Sequence, residues 1–145
     1  MSDYSVKRTV IGKLTAGTDL YEGITQFAEQ NRIRIGRITG LGAVQRARLA
    51  YYDQKEMKYS NIEFNEPMEI VSMYGNITLK EGQPFANVHV VLSDEKGNGK
   101  GGHLLSGGTP VFACEVTIEE YEGPEPVREH DTGTGHVLWD SSRTL

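Results

Sequence analysis

Two histidines bracket a glycine-rich turn in the segment PFANVHVVLSDEKGNGKGGHLL, Pro84 to Leu105. His89 sits inside an apolar run, and His103 directly follows the Gly101–Gly102 pair. Side chains two apart on a strand share a face. Val88, Val90 and Leu92 therefore point one way, and Asn87, His89 and Val91 the other. A hairpin turning through Ser93, Asp94, Gly97, Asn98 and Gly99 would hold His89 and His103 side by side at the lip of a sheet. Two imidazoles and an oxygen ligand with an open position suit a divalent metal such as zinc. The spacing is not one of the compact zinc signatures. The alternative is a histidine pair hydrogen-bonded to backbone near a sheet edge.

Five arginines, Arg32, Arg34, Arg37, Arg46 and Arg48, form the one basic cluster. Arg34, Arg46 and Arg48 project from the outer faces of neighbouring predicted strands. A two-stranded ribbon can enter the DNA major groove, where arginine reads guanine. The alternative is a solvated sheet face or a subunit contact. No aromatic residue is interleaved to stack bases, so single-strand binding gains little. Glu69 and Glu115 stand in apolar strands, on the wet face of the sheet or at a pocket. Cys114 reads as core, and no serine or cysteine occupies a nucleophile elbow. Gly99-Lys100 is followed by Gly101 and no helix, which fails the Walker pattern, and GLGAVQ at Gly40 lacks the third glycine of the dinucleotide fingerprint. His130 and His136 fall in the tail, where a solvated role is the default.

The elements that must position these residues follow from periodicity. Val6–Leu14 alternates as a strand, broken by Gly17. Thr18 is a suitable N-cap, with Asp19 and Glu22 in the first turn of a helix whose stripe is Leu20, Ile24, Phe27 and Ala28. That helix ends near Asn31. Ile33–Thr39 and Ala43–Asp53 read as strands joined by a tight turn at Gly40–Gly42, with Arg46 and Arg48 on the outer face of the second. Residues 54–65 form a short hairpin or a loop. Met68–Leu79, Phe85–Ser93 and Val111–Tyr121 read as strands. From Gly123 the chain is rich in Pro and Gly, an arm ordered only if it packs, as Trp139 suggests. One helix followed mostly by strands predicts an α+β fold, a largely antiparallel sheet covered by one main helix.

At 145 residues with 37% apolar and 24% charged residues, the chain fits one soluble domain. No run approaches the ~18 apolar residues of a membrane span. No secretory leader is readable at the start, and Cys114 is the single cysteine, so a cytoplasmic location is expected. The net charge is −5, split as +4 over residues 1–50 and −9 over the rest. Duplex binders usually carry a basic surface. A nucleic-acid face would therefore have to come from the first half.

The runs ITGLGAVQRARLAYYD (Ile38–Asp53), MEIVSMYGNIT (Met68–Thr78), VHVVLSD (Val88–Asp94), GGHLLSGG (Gly101–Gly108) and ACEVTIEEY (Ala113–Tyr121) resemble the plant and prokaryote conserved domain in content and order. The resemblance covers roughly residues 5 to 123. It implies a domain over 1–123, with 124–145 an arm packed on it or on a neighbouring subunit. It also implies a homotrimer and the family's predicted DNA-binding role, a binding or regulatory module more than an enzyme. Some prokaryotic members hold a metal where two histidines alternate on the strand and a third follows paired glycines. This chain keeps the last two as His89 and His103, and Asn87 stands at the first. The implied pocket takes in Glu69, Gly101, Gly102 and Glu115. No Arg-Gly-Arg-Pro AT-hook core is present, so the minor-groove contact of the plant proteins does not carry over.

Overall fold

The structure, a computed structural model, describes residues 3–145. Its strands are β1 (Ser5–Lys13), β2 (Gly36–Val44), β3 (Ala47–Asp53), β4 (Lys58–Phe64), β5 (Met68–Lys80), β6 (Gln83–Ser93), β7 (Gly99–Leu104), β8 (Val111–Glu122), β9 (Val127–His130) and β10 (Val137–Trp139), with α1 (Leu20–Gln30) between β1 and β2. The main sheet runs β1-β8-β2-β5-β6-β7-β3-β4, all neighbours antiparallel. This is the expected α+β fold: one helix over a largely antiparallel sheet. No helix among the described residues is long and apolar enough to cross a membrane.

Leu20, Ile24 and Ala28 of α1 are buried against one sheet face, with Ile38, Ile77, Val88, Val90, Val116 and Ile118. Each fully buried Leu or Ile contributes about 1.5–3 kcal/mol, so this helix face is a major source of stability. The helix is capped by Asp19 and not by Thr18. The Asp19 carboxylate accepts the backbone N–H of Glu22 at 3.1 Å and, from across the fold, those of Gly107 and Thr109 at 3.0 Å each. One side chain thus caps the helix and anchors the loop between β7 and β8.

The expected turn at Gly40–Gly42 is absent. β2 continues through these glycines to Val44, with its register shifting against β5 between Gly40 and Gly42. The chain keeps its direction and only bends at Gln45–Arg46, where the Gln45 N–H donates to the Pro110 carbonyl. Glycine is needed here for close approach. A Cβ on Gly42 would stand 2.0 Å from the Ala113 carbonyl oxygen, and its φ of +148° disfavours any side chain. Residues 54–65 are resolved by β4, which pairs with β3 as a hairpin.

The segment from Gly123 packs back on the same chain. β9 pairs in parallel with the end of β5, at Leu79 with Val127 and Lys80 with Arg128. β10 then folds against β9. The Trp139 indole N–H donates to Thr78 Oγ1 at 3.1 Å. Residues 124–145 form a strap over the sheet face opposite the helix.

Candidate functional site

The β6–β7 hairpin brings the two histidines together. Asp94 holds its turn, with Oδ1 accepting the N–H groups of Lys96 and Asn98 at 2.9 Å each, while Gly97 supplies a φ of +81°. The resulting register sets His89 opposite His103. Their ring centroids lie 5.3 Å apart at 66°. The glycine pair before His103 has a steric cause. A Cβ on Gly101 would meet the Val90 carbonyl oxygen at 2.7 Å, and one on Gly102 the Ala50 carbonyl oxygen at 2.8 Å. β7 fits between β6 and β3 only without those side chains.

Residues from distant elements close the space around the pair. Tyr59 of β4 stacks on His103 with centroids 5.0 Å apart. His136, in the strap, lies 3.8 Å from the Tyr52 ring, and the Tyr52 hydroxyl donates to the Thr134 carbonyl at 2.6 Å. These contacts tie the strap to the β3–β4 hairpin and roof a cavity of about 540 Å³. Its walls include Asn87, His89, His103, Tyr59, Phe85 and His136.

Two polar atoms of this cluster, Asn87 Oδ1 and His103 Nδ1, are buried without a hydrogen-bond partner. An unmet buried acceptor costs about 1–3 kcal/mol, so its retention calls for an explanation. Burial lowers the pKa of His103 from 6.5 to about 4, with the neighbouring His89 and His136 adding to the effect. Burial, with His136 second, also lowers that of His89. Lowered values favour neutral rings, whose lone pairs are available to a metal or a donor group.

The remaining predicted site residues are dispersed. Gly102 lines the cavity; Gly101 is exposed on the same strand. Glu69 lies in register with Ser93, and Glu115 with Leu41 and Lys13. Both glutamates are exposed and neither lines the cavity. Arg34 is ion-paired to Glu125 of the strap. Arg46 stands exposed in the β2–β3 turn, while Arg48 lies half-buried on β3 and donates to the Ser106 carbonyl at 3.1 Å. They do not share one strand face, because Arg46 lies in the bend before β3 and only Arg48 is in the strand. Tyr52 and Tyr59 were not picked out by spacing, and His136, expected to be solvated in the tail, instead packs on Tyr52 and lines the cavity. The one available signal was Trp139 in the tail, which suggested that the arm packs.

A metal can be tested against this donor set. Among the described residues, no three or more His, Cys, Asp or Glu side chains gather as a metal group. What lines the cavity is two registered imidazoles and Asn87, with one polar atom on each of Asn87 and His103 unpartnered. That set fits a divalent ion held by few protein ligands and completed by water or ligand oxygens, although amide oxygen is a weaker zinc ligand than imidazole.

Fold and site together define a single-domain α+β protein with a histidine-bearing cavity under a C-terminal strap. The chain belongs to the Plants and Prokaryotes Conserved (PCC) domain family, whose profile matches residues 1–122. It is similar to a metal-containing protein of Archaeoglobus fulgidus, with 38% identity, a TM-score of 0.89, and coverage of 96% of this chain and 97% of that one. A plant- and prokaryote-conserved protein of Pyrococcus horikoshii is 30% identical with a TM-score of 0.89, covering 97% and 96%. A candidate DNA-binding protein of Bacteroides thetaiotaomicron is 26% identical with a TM-score of 0.84, covering 97% and 99%. A curated relative, the bifunctional protein GlmU of Synechococcus sp. (strain JA-3-3Ab), is 25% identical over 126 residues. The match takes in 86% of this chain and 19% of that protein, so the chain spans about a fifth of its length.

Proposed function

We propose that this protein is a ligand-binding module whose working site is the cavity around His89 and His103. One observation carries the reading: registered imidazoles and buried, unpartnered polar atoms of Asn87 and His103 line one cavity of about 540 Å³. A divalent metal such as zinc would be held by His89 and His103, with Asn87 as a weak third ligand. Bound there, it would supply Lewis acidity to a ligand oxygen. The metal-containing Archaeoglobus relative supports the reading. The test is zinc content per chain, by native mass spectrometry, for protein purified without chelator. About one zinc per chain, lost in a folded His103→Ala variant, is expected. Zinc retained by that variant would reject the metal assignment.

A second reading makes the protein a DNA-binding regulatory module acting as a homotrimer. The candidate DNA-binding relative from Bacteroides supports it. Arg8, Arg34 and Arg37 are ion-paired to Glu120, Glu125 and Glu119, so Arg46 and Arg48 would carry the contact. Replacing both with glutamate should abolish DNA retention at low salt; unchanged retention would dismiss this role. Trimerisation draws on an apolar band on the strap-side face of the sheet, where Ile11, Leu41, Val71 and Phe112 are each more than half exposed. Sedimentation of a Leu41→Lys/Val71→Lys variant should show loss of the trimer. A trimer that survives would place the contact elsewhere.

A further inference from the structure

Arg128 of β9 is a buried cation without a counter-charge. It is 8% exposed, and among the described residues no carboxylate lies within ion-pair distance. Its Nε–H donates to Thr78 Oγ1 at 2.9 Å, one terminal nitrogen to Asn76 Oδ1 at 2.7 Å and the other to the Val137 carbonyl at 3.1 Å. Those partners are neutral and use three of the five guanidinium N–H groups. Burying a charge with neutral partners alone is costly, and burial lowers the Arg128 pKa accordingly.

A second unpaired cation stands beside it. The Lys80 ammonium lies 4.8 Å from the centroid of the Phe85 ring, and the Arg128 guanidinium 5.7 Å from the same centroid. Lys80 and Phe85 line the histidine cavity. Arg128 lines an adjoining cleft of about 360 Å³, and Asn87 and Leu138 line both. The cleft's one acidic residue, Asp140, has one carboxylate oxygen, Oδ1, engaged by the N–H and hydroxyl of Ser142, and Arg143 lines the same cleft. Two unpaired cations concentrated around one ring, in a chain of net charge −5, make a local positive field at the strap.

We propose that the strapped cleft binds the oxyanion of a small organic ligand, a phosphate monoester or a carboxylate, between Lys80 and Arg128, with the ligand's planar body among Phe85, Tyr59 and the histidines. The assignment rests on the ligand-binding reading of the cavity and adds the chemical class of its ligand. The ammonium and the free guanidinium N–H groups supply charge-assisted bonds to the anion. The aromatic walls set the shape of the rest.

The experiment is calorimetric titration of the full chain with phenyl phosphate, benzoate and uncharged phenol. Saturable binding of either anion, with none of phenol, is expected, and the tighter anion distinguishes phosphate from carboxylate. Lys80→Met and Arg128→Met should each weaken that binding about tenfold, while Arg128→Lys recovers part of it. If Arg128→Met does not fold, the partly exposed Lys80 decides through its own variant. Absence of anion binding, or equal affinity in Lys80→Met and wild type, overturns the proposal. Zinc content read on the same Lys80→Met protein separates the two ideas. Zinc retained with anion binding lost keeps both, and anion binding by a wild type that carries no zinc removes only the metal assignment.

Discussion

Acidification should destabilise the metal-free protein through His103. The imidazole titrates near 6.5 in the unfolded chain, while burial holds it near 4 in the fold. Between these values the unfolded state binds the extra proton, so stability falls as pH drops from about 6.5 towards 4. The full difference would correspond to about 3 kcal/mol at 1.36 kcal/mol per unit. The ring is half-buried, so solvent screening reduces this to roughly 1–2 kcal/mol. His89 is shifted the same way, by burial first and His136 second, and adds to the loss below its ordinary value. Asp94 and Asp131 have lowered values, so they act only below the ordinary carboxylate range, outside it. The assay is urea unfolding of chelator-treated protein at several pH values across this window, for wild type and His103→Gln. The wild type should lose about 1–2 kcal/mol more than the variant between pH 7 and pH 4.5. Parallel losses in the two proteins would refute the assignment.

Three further outcomes are expected. Asp19→Ala removes the helix cap and two long-range backbone contacts, costing about 2–4 kcal/mol in urea unfolding; a loss under 1 kcal/mol would mean that the loop finds other partners. Cys114, whose thiol is pushed up to about 11 by burial first and Glu115 second, should resist a disulfide reagent at pH 8 in the native protein and react at once in urea. Tyr52→Phe loses the hydroxyl bond to the Thr134 carbonyl, which should cost about 1 kcal/mol and speed proteolysis within residues 131–136, read by peptide mapping; unchanged cleavage would show that this bond does not hold that part of the strap.

Much of the histidine hairpin was legible in the chain. Strand alternation put His89 and Asn87 opposite Val88 and Val90, and the Asp94–Gly99 turn constrained which residue could face His103. The helix stripe was equally readable, because Leu20, Ile24 and Ala28 recur at its period. The cap was misplaced by one residue, since Thr18 and Asp19 both carry suitable oxygens. What selects Asp19 is its second set of partners, Gly107 and Thr109, almost ninety positions away. The glycines at 40 and 42 suggested a turn by local preference. Their requirement comes from β5 and β8 pressing on β2, which no local window contains.

The amino-acid order by itself determined the α+β class, the helix face and the His89/His103 pairing, because periodicity and short turns act over a few residues. Tertiary structure alone decided that His136, Tyr52 and Tyr59 complete the cavity, and that Glu69 and Glu115 stand outside it. It also decided that Arg128 is buried without a counter-charge. Those outcomes depend on where the strap crosses the sheet, which is set by the pairing of β9 with β5 across nearly fifty residues and by Trp139 reaching Thr78. Contacts of that separation are chosen by packing of the whole fold, after local preference has been spent.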